Sequence, residues 1–72
     1  MSKQDFTIQY NGRRADCIQE GSTFMVQITY KPVYLELETD SEGIDHWIEK
    51  ETSQESELAK ELGKLIRNQY LH

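Results

Sequence analysis

One cysteine, Cys17, stands alone in this 72-residue chain, so no intrachain disulfide can form. Secreted domains of this size generally depend on several bridges, and the expectation is a reduced, cytoplasmic compartment. Long apolar runs are missing too. No stretch approaches the roughly 20 apolar residues that a bilayer-spanning helix needs, and the polar start Met1–Phe6 does not read as a secretory leader. Histidine is limited to His46 and His72, which with one cysteine supply no zinc-ligand set. Neither a glycine-rich phosphate loop nor a Ser/His/Asp constellation occurs. Apolar residues make up only 36% of the chain. A domain this small buries about 60% of its unfolded surface, so nearly every large apolar side chain is needed for one core. An enclosed catalytic cavity would compete for them, and the chain reads as a non-enzyme without a cofactor.

Charge is abundant and unevenly placed. The net charge is −5; residues 1–31 hold four basic and three acidic groups, residues 32–72 four basic and ten acidic ones. Such a field repels phosphate backbones, which argues against nucleic acid as a partner. It serves solubility, or steers a basic protein to the acidic half.

Phe6-Thr-Ile8-Gln-Tyr10 alternates like a half-buried strand. Asn11-Gly12 suits a two-residue type I′ turn, whose positions need φ > 0. That turn sets Tyr10 against Arg13, Ile8 against Ala15 and Phe6 against Cys17. A second strand covers Arg13 to Ile18. With 19–22 as a four-residue turn, a third strand from Thr23 to Tyr30 pairs Cys17 with Phe24 and Ala15 with Val26. Lys31-Pro32 breaks the chain. A fourth strand, Val33 to Thr39, pairs Tyr30 with Val33, Ile28 with Leu35 and Val26 with Leu37. Asp40–Gly43 is a polar turn. Residues 44–50 read either as a fifth strand, with His46 and Ile48 inward and Trp47 outward, or as a short helix; the strand is preferred.

The last element is an amphipathic helix over about 52–70, with Leu58, Leu62, Leu65, Ile66 and Tyr70 in one stripe. Thr52 and Glu55 have the spacing of a capping box. Gly63 costs roughly 1 kcal/mol against alanine inside a helix, which predicts a close approach to the sheet there. The fold class is therefore α+β: one domain over 1–72, a four- or five-stranded antiparallel meander with a C-terminal helix on one face. The expected core is Phe6, Ile8, Tyr10, Ala15, Cys17, Phe24, Val26, Ile28, Tyr30, Leu35, Leu37, Ile48, Leu58, Leu62, Leu65 and Ile66.

Four residues fall on the outer sheet face where a solvated surface would be polar: Ile18, Met25, Tyr34 and Trp47. Aromatics in such places anchor interfaces, so the first functional expectation is a protein-interaction module, binding a partner or a second copy there. The alternative is a small-ligand or cation-binding protein using the acidic segment 38–49. Glu38, Asp40, Glu42 and Glu49 there have calcium-loop spacing around Gly43, although the preceding strand and the long glutamates depart from that pattern. Cys17 reads as an inert core thiol and His46 as a rim residue among carboxylates. Arg13 and Arg14 read as a charged hairpin tip or as a contact for phosphate or carboxylate.

The Asn11-Gly12 hairpin, the strand start Pro32-Val33-Tyr34-Leu35, and Trp47 ahead of the helix Leu58-Ala-Lys-Glu-Leu62-Gly-Lys-Leu65-Ile66 together resemble small uncharacterised bacterial proteins of a β-meander-plus-helix type. The resemblance implies the same fold and supplies no functional residues.

Overall fold

A computed structural model describes residues 3–28 and 30–71. Met1, Ser2, His72 and Thr29, the last inside the expected third strand, lie outside the described residues. Five antiparallel strands stand side by side in chain order: β1 (Gln4–Tyr10), β2 (Arg13–Glu20), β3 (Thr23–Gln27), β4 (Val33–Thr39) and β5 (Asp45–Glu49). The helix α1 (Glu57–Gln69) packs across one face. Residues 45–49 are thus strand, not helix.

The turns set the register. Asn11 (φ 51°) and Gly12 (φ 75°) close the first hairpin, and Tyr10, Ile8 and Phe6 face Arg13, Ala15 and Cys17 as expected. The second loop is shorter than expected. Gly21 takes φ 63° at the first position of a two-residue loop, so Glu20 pairs with Thr23, and Cys17 meets Val26 instead of Phe24. The third connection is longer: Val26 pairs with Val33 and Phe24 with Leu35. Both corrections slide a strand by an even number of residues. Side chains alternate with period two, so every inward residue of the paired strands stays inward. Tyr30, however, leaves the sheet and is 98% exposed, not part of the core.

The fourth turn differs by one residue, and that reverses a face. Asp40 pairs backbone to backbone with Ile44 around Ser41-Glu42-Gly43, and Gly43 sits at φ 81°. This is the three-residue loop ending in a left-handed glycine. Leu37 consequently faces Trp47, and Glu38 faces His46. Trp47 turns inward and is 6% exposed, whereas His46 and Ile48 take the outer side; the expected placement of all three is overturned.

Gly63 explains where the indole goes. A Cβ on Gly63 would lie 2.2–2.4 Å from three carbons of the Trp47 ring, closer than any carbon contact tolerates. The predicted close approach of helix to sheet is real, and its partner is Trp47. Phe24 meets the same ring edge-on at 5.0 Å, and Phe6 links Phe24 to Tyr70, on which it stacks at 3.8 Å. Aromatic side chains therefore run through the core from β5 to the helix end. Ile8, Ala15, Cys17, Phe24, Val26 and Leu35 share this interior with Ala59, Leu62 and Ile66 of the helix.

The helix begins later than expected. Gln54 forms a bridge with Glu49, Ser53 adopts φ 57°, and Ser56 is the N-cap, its hydroxyl accepting the Ala59 N–H at 3.0 Å. Thr52 and Glu55 form no capping box because Glu55 is drawn to His46. At the other end, the Gln69 carboxamide accepts the Gln9 N–H at 2.7 Å and donates to the Gln9 carbonyl at 3.2 Å. It occupies part of the β1 edge, where an unpaired backbone invites another strand.

Candidate functional site

With the helix on one face, no layer covers the opposite face of the sheet among the described residues. Two-residue alternation and the observed register decide what it presents. Ile18 pairs directly with Met25, and Met25 with Tyr34, so these three residues form a row across β2, β3 and β4. Tyr34 is half exposed, and Ile18 and Met25 are partly covered by neighbours. Three of the four residues singled out from the sequence thus come together, and Trp47 does not join them. Ile48 takes the place on β5 that was assigned to Trp47; it lies opposite Glu36 on the outer side. Counting Gly43 as the last residue of a three-residue loop would have found it.

The row is ridged. Ile18 and Met25 border two shallow hollows, of about 500 and 210 Å³, one on each side. A fixed acid stands beside the row. Glu36 accepts hydrogen bonds from the Ser22 hydroxyl and from the Thr23 hydroxyl at 3.0 Å, and Lys50 Nζ lies 3.5 Å away. The Ser22 bond above all holds its carboxyl below the usual range. Alternation adds Asp5, Asp16, Glu20 and Glu38 to the same face, against Lys50 beside Glu36 and Lys3 at the border of the smaller hollow. The apolar row is therefore set in a mostly acidic surround.

The residues considered for chemistry are engaged otherwise. The Cys17 thiol is buried, points to the Ala15 carbonyl at 3.7 Å, and is pushed up to about 11, by burial first and then by Asp16. A neutral thiol in that position is a poor nucleophile. His46 is held by Asp40 Oδ2 at 2.9 Å on Nε2 and by Glu55 on Nδ1. These bonds, Asp40 first, raise its pKa, and both ring nitrogens are already occupied.

The acidic segment 38–49 does not close around a central point. One Asp40 oxygen accepts the N–H groups of Glu42 and Ile44 at 2.9 and 3.0 Å, the other binds His46, and Asp45 pairs with Arg67. Among the described residues no group of three or more His, Cys, Asp or Glu side chains is arranged to hold a metal ion. His46 and its two carboxylates instead clasp the β4–β5 turn to the segment before the helix. Among the described residues no helix is long and apolar enough to cross a membrane.

No protein-family model matches this chain, and no curated protein or solved structure matches it.

Proposed function

We propose that this chain is a non-catalytic interaction module of the cytoplasm, and that its outer sheet face docks a protein with an apolar centre and a basic rim. The observation that carries this reading is the row Ile18–Met25–Tyr34, aligned strand to strand on the face without a layer over it. Methionine adapts to a partner's shape, and tyrosine is a common binding hot spot. The acidic surround selects the charge of the partner. A second copy would bring a net charge of −5 against another −5, so a basic partner is favoured over self-association.

A photo-crosslinking residue at Thr7, on the outer face, tests the reading, with the same residue at Asn68 on the exposed side of the helix as control. The expected result is one discrete adduct with a basic protein from position 7 and none from position 68. The adduct weakens with added salt and disappears when Tyr34→Asp is combined with it. Equal adducts from both positions overturn the reading. Sedimentation that finds a dimer dissolved by Met25→Asp overturns the choice of a basic partner in favour of a second copy.

A further inference from the structure

At the far end of the first hairpin lies a hollow of about 570 Å³, bounded by Tyr10, Asn11, Arg13, Arg14, Ala15 and Ile28. Its size falls within the roughly 300–1,000 Å³ usual for small-molecule sites. It sits on the helix side of the sheet, because Tyr10, Arg13, Ala15 and Ile28 belong to the inward alternation. The helix meets β5 at Trp47 and β1 at Phe6 and Gln9, and its residues do not border this corner. The floor is apolar: Ala15 is buried, and Tyr10 and Ile28 are partly buried against the core.

The rim has a different character. Consecutive strand residues ordinarily serve opposite faces, yet Arg13 and Arg14, beside the tight turn, both border this one hollow. None of the chain's 13 acidic residues does. Among the described residues neither arginine makes an ion pair, whereas Arg67 is paired with Asp45 and Lys50 with Glu36. Two arginines, a carboxamide and an apolar floor with a phenol ring thus border one hollow in a chain whose net charge is −5. Guanidinium forks match planar or tetrahedral oxyanions in pairs of hydrogen bonds.

We propose that this hollow binds a small organic anion, with a carboxylate or phosphate gripped by Arg13 and Arg14 and an apolar ring or chain lying on Tyr10 and Ile28. The site is independent of the outer-face interface: it lies on the other side of the sheet and takes a ligand of opposite charge preference.

The test is an amide NMR titration with four probes: phenyl phosphate, benzoate, inorganic phosphate and benzyl alcohol. Phenyl phosphate or benzoate is expected to move the amides of Asn11, Arg13, Arg14, Ala15 and Ile28 saturably, with Kd of about 0.1–1 mM. The tighter of the two identifies the oxyanion. Inorganic phosphate and benzyl alcohol, each carrying half of the recognised chemistry, should bind at least about tenfold more weakly. Arg13→Gln with Arg14→Gln should also cost at least about tenfold, with Trp47 emission unchanged as the check that the fold is intact. Should that variant unfold, Arg13→Lys with Arg14→Lys keeps the charge and should still weaken binding severalfold. The proposal is overturned by the absence of saturable shifts, by equal binding of inorganic and phenyl phosphate, or by undiminished binding to a folded variant.

Discussion

The two outer hairpins of this sheet hold their strands by different means. The β1–β2 hairpin is closed by two left-handed residues, Asn11 and Gly12, and its inner face buries Ile8, Ala15 and Cys17, with Phe6 and Tyr10 partly buried beside them. The end of the helix is tied to its edge strand by the Gln69 hydrogen bonds to Gln9, and Tyr70 stacks on Phe6. The β4–β5 hairpin has one more loop residue, ends its loop on Gly43, and delivers the largest side chain of the chain into a notch on the helix. Its flank is then fastened by Arg67 to Asp45 and by His46 to Asp40 and Glu55. The first hairpin is a local structure that a helix end leans on. The last is half of a lock whose other half is Gly63.

Breaking the lock should have the largest effect. Trp47→Ala is expected to cost about 3–5 kcal/mol, as for other buried aromatic truncations, read from urea unfolding. Gly63→Ala should cost about 1–3 kcal/mol by overpacking. In the Trp47→Ala background the same change should become neutral or stabilising by up to ~1 kcal/mol, because alanine is the better helix former once the ring is gone. Additive costs in the double variant would show that Gly63 and Trp47 are not coupled.

At the first hairpin the effect should be smaller and local. Nothing lies within 4 Å of a Cβ on Gly12, so Gly12→Ala meets only the backbone cost of φ 75°, about 1–2 kcal/mol. Amide exchange should report it mainly in β1 and β2. A loss as large as that of Trp47→Ala would mean that the two hairpins are not as different as their packing implies.

The smallest effect separates the hairpins by pH. His46 has a raised pKa, held first by Asp40 and then by Glu55. Its contribution is therefore fully present below the unfolded value of about 6.5 and is lost as pH rises through the higher folded value. Asp40 is shifted the opposite way, by the His46 bond and then by the Ile44 N–H, so its contribution is present above the unfolded carboxylate value and fades as pH falls through the lower folded one. Exchange of the β4–β5 amides should quicken modestly on the alkaline side of neutrality, while β1–β2, which has no ion pair among the described residues, should not follow. His46→Gln should flatten the difference.

Most of the fold was legible because its signals are local. Asn11-Gly12 dictates a turn whatever surrounds it, and period-two alternation survived errors of two and four residues in the β2–β3 and β3–β4 pairings. The amphipathic stripe from Leu58 to Tyr70 announced the helix. Its start was misplaced because Thr52 and Ser56 can each cap a helix, and the choice fell to Ser56 once Gln54 paired with Glu49 and Glu55 with His46. The interaction row was legible for Ile18, Met25 and Tyr34 and wrong for Trp47, since an error of one residue exchanges the two faces of a strand.

What the chain's order of residues determined alone was the Asn11-Gly12 turn, the alternation and the amphipathic stripe, because each is decided within a few neighbouring residues. What the tertiary structure decided was which side of β5 faces inward. An indole on either face leaves local alternation equally satisfied; the length of the loop ending on Gly43 chooses one side, and the missing side chain at Gly63, brought close by the fold, makes that side fit.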